Sequence, residues 1–101
     1  MTSTLVVRPE ARVDVEAAAL WYEERLTGLG LEFLGILDRR FADLVLLPDA
    51  WPEVFPGVRR ALLPRVPFAI YFASSPGRLV VLAVLHLHSD LERWAPRGPS
   101  L

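Results

Sequence analysis

His86-Leu87-His88, with Asp90 two positions on, is the spacing richest in potential chemistry in this 101-residue chain. If a strand runs through it, the period of two puts both imidazoles on one face with Asp90 beyond them. His-x-His-x-Asp occurs in metal sites, but a closed zinc site takes four ligands. The chain has two His and no Cys, so two further carboxylates would be needed, and nothing in the sequence specifies them. The preferred reading is one partly buried, hydrogen-bonded His at a strand end and one solvated His. No metal and no other cofactor is implied.

The cations are the second candidate. All 11 basic side chains are Arg, so proton transfer or phosphate contact falls to Arg, His, Tyr or carboxylates. Arg59, Arg60, Arg65 and Arg78 lie at strand starts or ends, and Arg93 and Arg97 lie in the closing segment. Guanidinium groups clamp phosphate or carboxylate through paired hydrogen bonds. A group of them around an imidazole is the minimum for metal-free RNA cleavage, with charge stabilisation from Arg and proton transfer by His. The competing reading leaves most of them solvated, or paired with acids such as Asp90 and Glu92, and surface pairs of that kind are weak. Tyr22, Tyr71 and Phe72 sit in apolar patterns that suit a core. Trp94, flanked by Arg93 and Arg97, suits a packed anchor for the tail. No nucleophile–base pair, glycine-rich phosphate loop or carboxylate pair is discernible.

The elements that must position these groups follow from periodicity. Thr4 to Arg8 is short and rich in β-branched residues, which predicts a first strand, and Pro9 fits the first turn of a helix. From Glu10 to about Leu26, Ala11, Val15, Ala18 and Tyr22 recur at helical spacing, with Trp21 and Leu26 flanking them and Glu23, Glu24 and Arg25 facing elsewhere. Thr27-Gly28-Leu29-Gly30 is a break. A second helix from about Leu31 to Leu47 carries the stripe Phe33, Leu37, Phe41 and Leu44, widened by Leu34 and Val45, and Pro48 ends it. The two helices make an αα-hairpin.

Asp49 to Gly57 reads as a loop. Arg59 to Arg65 is extended, and Pro64 within it implies an edge strand or a bulge. Val66-Pro67 is a turn, Phe68 to Ala73 a strand, and Ser74-Ser75-Pro76-Gly77 a hairpin turn. Leu79 to Leu87 is nearly continuous apolar sequence, as for a central strand buried on both faces. The predicted fold is α+β, in the order β-α-α-β-β-β, with the αα-hairpin packed on a small antiparallel sheet and residues 1–101 forming one domain.

Composition narrows the functional classes. Without Cys, disulfides and thiolate chemistry are excluded. The 52% hydrophobic content argues against disorder. No apolar run approaches the roughly 20 residues of a membrane span, so a soluble intracellular protein is expected. The net charge of −1 conceals an asymmetry: residues 1–50 hold five Arg against nine acids, residues 51–101 six Arg against three. A weakly basic second half suits an anionic partner, though the chain is far from the basicity of a general nucleic-acid binder.

Several of these segments, in this order, resemble the RelE/ParE superfamily of type II toxin–antitoxin toxins, some members of which are called plasmid-stabilisation proteins. The resemblance runs from PEARVDVEAAALWYEE through GLGLEFLGIL to the end of the chain. Its specific pieces are Arg65-Val66-Pro67-Phe68-Ala69-Ile70-Tyr71, the strand ending in His86, and Arg93-Trp94-Ala95-Pro96-Arg97. The chain departs from the family pattern in having Phe68 where a Tyr often follows the Pro, and His88-Ser89 where paired Arg often follow the His. The superfamily's ribosome-dependent nucleases resemble one another in Lys, Arg and Tyr or His residues on the sheet face, whereas this chain has no Lys.

The resemblance implies a cytoplasmic, growth-inhibiting toxin neutralised by a cognate antitoxin. In the ParE-like reading the target is DNA gyrase, and no catalytic set is needed. Target or antitoxin contacts would then fall to Arg59, Arg65, Arg78, His88, Arg93, Trp94 and Arg97. In the RelE-like alternative the target is mRNA on the ribosome, with Arg59, Arg60 or Arg65 on phosphate and His86 or His88 as acid–base, the set His86, Arg60 and Arg65 foremost. A third reading is a degenerate member that only binds. The antitoxin would lie over the αα-hairpin and the sheet, with the Arg59–Arg65 strand as a plausible edge for strand addition.

Overall fold

The computed structural model describes residues 4–89. The sequence candidates Asp90, Glu92, Arg93, Trp94 and Arg97 lie outside the described residues. The described chain forms β1 (Thr4–Val7), α1 (Pro9–Arg25), α2 (Leu29–Leu46), β2 (Glu53–Phe55), β3 (Val58–Leu62), β4 (Phe68–Ser75) and β5 (Arg78–His86).

Pro9 opens α1, where its missing N–H costs no helical bond. The predicted stripe faces inward: Ala11 and Ala18 are buried, and Val15 and Tyr22 pack against the core. On α2, Phe33, Ile36, Leu37 and Leu44 are buried between the helices and the sheet. The link between the helices is tight because Gly28 adopts φ +98°, a left-handed conformation that favours glycine. A Cβ on Gly30 would stand 2.8 Å from the Ala19 carbonyl oxygen, so a side chain there would force the helices apart.

The sheet has the order β1-β5-β4-β3-β2. Strands β2 to β5 form an antiparallel meander, with β4 and β5 joined through Pro76-Gly77. The sheet is mixed, however, and not antiparallel throughout, because β1 pairs with β5 in parallel, Thr4 with Arg78 through Val7 with Val81. The αα-hairpin carries the chain from β1 to β2 at the opposite edge, and the meander then returns strand by strand until β5 lies beside β1. Strand β2 is an addition to the predicted order. Its three residues stand between Pro52 and Pro56, which masked them as loop. It also displaces the expected edge: β3 lies between β4 and β2, and Pro64 falls after β3 has ended. Strand β5 is central, as its apolar run predicts, and Leu79 to Val84 are all buried.

The sheet has two apolar faces. One meets the helices through Ala61, Ile70, Phe72, Leu79, Val81 and Val84. The other gathers Val58, Ala69, Tyr71, Ala73, Val80, Leu82 and Ala83 into a second cluster drawn from strands. An irregularity in the pairing between Tyr71 and Phe72 of β4 and β5 lets adjacent Leu82 and Ala83 both join that second cluster.

Candidate functional site

Two surface features could receive a partner, and they lie on either side of the Leu63–Pro67 turn between β3 and β4. The first is a groove of about 410 Å³ between α1 and the end of β5, walled by Asp14, Trp21, Tyr22, Phe68 and His86. It exists because β1 is short. Beyond Val81, whose carbonyl accepts the Arg8 N–H, β5 has no strand on the side away from β4. Helix α1 runs past that open edge, and the Asp14 carboxylate accepts the Val84 N–H at 3.1 Å. A side chain thus takes the place of the missing strand at one amide.

Aromatic rings line the groove. Tyr22 stacks on Phe33 with centroids 5.4 Å apart, and Phe68 stands edge-on to Phe33 at 5.2 Å. Burial raises the pKa of the Tyr22 phenol above its ordinary 10.0. At the rim, Trp21 meets Tyr22 edge-on while the Arg25 guanidinium lies 3.3 Å over the Trp21 ring. Trp21 is still 48% exposed, and Val13 and Leu20 on the same helix are 63% and 60% exposed. An exposed apolar strip beside an aromatic groove is suited to another protein rather than to water.

His86 closes the far end of the groove. It is the last residue of β5, paired with Phe68, and the two rings meet edge-on at 5.3 Å. Its Nδ1 accepts the His88 backbone N–H at 3.1 Å. A ring accepting at Nδ1 carries its proton on Nε2 when neutral. His88 lies past the end of the strand in a turn, closed by the Ser89 N–H donating to the His86 carbonyl. The two imidazoles still stand close, with centroids 5.2 Å apart. Among the described residues no group of three or more metal-ligating side chains assembles.

The second feature is a cationic cleft of about 520 Å³ between the C-terminal half of α2 and the turn, lined by Ile36, Arg39, Arg40, Asp43, Pro64 and Arg65. Arg40 donates to Asp43 at 3.0 Å, and its own Nε is buried without an acceptor among the described residues. Arg65 is exposed and takes φ +67°, as no other non-glycine described residue does. Strained conformations of this kind persist where the surrounding structure imposes them, here between Pro64 and Val66-Pro67.

The other sequence candidates are dispersed. Arg59 donates to the Trp51 carbonyl at 2.6 Å and ties the 49–51 segment to β3. Arg78 starts β5, and His86 ends it about 26 Å away by strand rise. Arg60 pairs across the ladder with Tyr71, which places it on the sheet face away from the helices, whereas His86 pairs with Phe68 on the helix face. Arg65 joins neither, because it belongs to the turn. The three residues of the nuclease reading therefore do not share a cavity among the described ones.

Sequence reasoning missed four contributors: Asp14, Arg39 and Arg40 were not among its candidates, and Glu23 was placed only as facing away from the apolar stripe of its helix. Glu23 in fact accepts the N–H of Gly28 and of Gly30 at 3.0 Å each, supplying the carboxylate that the start of α2 lacks locally. The only sequence signal is Glu23 lying shortly before a Gly-x-Gly break.

No protein-family model matches the sequence, and no curated protein matches it. A solved structure described as the chromosomal ParDE TA system from P. aeruginosa contains a chain similar to this one, with a TM-score of 0.75 and 20% identity. The match covers 84% of this chain and 96% of that one. The likeness shows a shared, ParE-like fold.

Proposed function

We propose that this chain is the toxin of a type II toxin–antitoxin system, that it stops growth by binding DNA gyrase, and that a cognate antitoxin neutralises it. The observation that carries this reading is the fold shared with a ParDE chain over 84% of the length. It agrees with the Arg65–Tyr71 and His86 motifs, which resemble the same superfamily. The dispersal of His86, Arg60 and Arg65 favours a protein that acts by binding over a nuclease, because general acid–base chemistry needs its groups within hydrogen-bond reach of one substrate. The aromatic groove and the exposed Val13 and Leu20 supply apolar surface for an antitoxin segment, and the cationic cleft supplies Arg39 and Arg65 for acidic groups. The protein acts in the cytoplasm as one domain. Among the described residues no helix is long and apolar enough to cross a membrane.

Tightly controlled expression of the chain alone tests the reading. Growth arrest with supercoiling and DNA-damage defects is expected, relieved by co-expression of the neighbouring short open reading frame. Translation loss with transcripts cut on ribosomes would overturn the gyrase target, and unimpaired growth would overturn the toxin assignment.

A further inference from the structure

Two guanidinium groups of the cationic cleft are unpaired among the described residues. Arg40 donates to the Asp43 carboxylate at 3.0 Å, and Asp43 is the acid that lines the cleft. Arg39, from the same helix, and Arg65, from the turn, make no hydrogen bond or ion pair among the described residues. Glu32 borders a neighbouring hollow that Arg65 also lines, yet no ion pair joins the two. With Arg40 and Asp43 offsetting each other, the charges of Arg39 and Arg65 face one space of about 520 Å³ without a counter-charge.

The donors stand on a stiff frame. The Leu63 N–H donates to the Phe68 carbonyl and the Phe68 N–H to the Val66 carbonyl, each at 2.9 Å, and these bonds close the turn that carries Arg65. Pro64 and Pro67 restrict the same turn from both sides. On the other wall, Arg40 is held by Asp43 and stands 5.1 Å from the Trp51 ring. Groups held in place before binding lose less freedom when a ligand arrives.

We propose that this cleft binds a small organic phosphate monoester, with the phosphate between Arg39 and Arg65 and the organic body against Ile36 and Pro64. Charge selects the class. A phosphate monoester carries about two negative charges at neutral pH, which matches the two unpaired guanidinium groups. A carboxylate or a phosphodiester carries one and leaves a guanidinium unmatched. Guanidinium forks bind phosphate oxygens through paired hydrogen bonds, so two of them can hold one phosphate from two sides. Helix α2 also carries Glu32, Asp38 and Asp43, which repel an extended polyanion such as a nucleic-acid strand. Ile36 and Pro64 give the cleft an apolar wall that bare phosphate has no means to use.

This site goes beyond the toxin reading and does not rest on it. Titration of phenyl phosphate into the full chain, followed through the arginine Nε–H resonances, tests it. Saturable shifts at Arg39 and Arg65 are expected. Inorganic phosphate, without an apolar body, and dimethyl phosphate, without the second charge, should both bind more weakly. Arg39→Gln and Arg65→Gln, at exposed positions, should each weaken phenyl phosphate binding about tenfold. Shifts that do not saturate, equal binding of either control, or an affinity unmoved by both substitutions would overturn the proposal. Binding of a polyglutamate peptide without binding of phenyl phosphate would overturn it too, and would give the cleft to protein carboxylates.

Discussion

Asp14 of α1 accepts the backbone N–H of Val84, 70 positions later in the chain, and so closes the edge of β5 where β1 has run out. The bond joins the helix layer to the sheet and shapes the groove above it. Removing the carboxylate leaves a partly buried amide without that acceptor, at about 1–3 kcal/mol. Asp14→Leu should therefore lower the free energy of unfolding by that amount, whereas Asp14→Asn, which keeps an acceptor oxygen, should lose less. Urea unfolding of both variants measures the difference.

The helix hairpin gives a paired prediction. Gly30→Ala places a methyl group 2.8 Å from the Ala19 carbonyl and against Glu23, an overpacking that costs about 1–3 kcal/mol. Gly35 lies in the same helix with open space around its Cβ position. There the same substitution should stabilise by about 0.5–1 kcal/mol, since only the propensity difference remains. Opposite shifts in thermal midpoint from two Gly→Ala changes in one helix would check the packing directly.

Much of this fold was legible in the sequence because its helices carry clean stripes. Ala11, Val15, Ala18 and Tyr22 on one helix, and Phe33, Leu37 and Leu44 on the next, face the core as their spacing requires. Strand β5 was legible from its unbroken apolar run. Periodicity carries no information about which strand comes to lie beside which, so the parallel β1–β5 pairing was not readable. Strand β2 was hidden by prolines on both sides. The site was less legible than the fold. Asp14 and Glu23 act on backbone amides distant in sequence or across a break, and nothing in their local sequence separates them from solvated acids. His86 was located correctly at a strand end, yet the face it occupies, opposite to that of Arg60, follows only from the register.

Arg65 combines strain with charge, and substitutions can separate the two. Its φ of +67° costs an L-residue roughly 1–2 kcal/mol. Arg65→Gly should relieve that cost and raise the thermal midpoint by several degrees. Arg65→Ala keeps the strain and removes only the guanidinium. If the cleft with Arg39 receives acidic groups of a partner, both variants should weaken antitoxin binding alike while their stabilities differ. Calorimetric titration beside thermal melts measures each quantity.

Tyr22 predicts an alkaline limb in stability. Burial raises its pKa above 10.0 in the folded protein, so above that pH the unfolded chain releases the phenolic proton first. The unfolded state then binds fewer protons, and stability falls as pH rises. The contribution is fully present below pH 10 and lost through the alkaline range. Tyr22→Phe has no proton to release, so its midpoint should fall less steeply above pH 10 in a series of thermal melts.

His86 decides between binding and catalysis. In this structure its Nδ1 accepts the His88 N–H and its ring packs edge-on against Phe68, two contacts that fix the end of β5. A Gln side chain can offer an acceptor oxygen to the same amide but cannot shuttle a proton as an imidazole does. If the protein acts by binding, His86→Gln should leave growth arrest within about twofold of the unsubstituted chain, and Arg60→Gln, on the other face of the sheet, should behave likewise. A nuclease relying on His86 would lose about 10²–10⁴-fold in cleavage rate on that substitution. Growth curves with transcript-end mapping, read on folded protein verified by circular dichroism, separate the two outcomes. Arrest that survives both substitutions places the action in the surface, and arrest lost together with transcript cleavage places it in the chemistry.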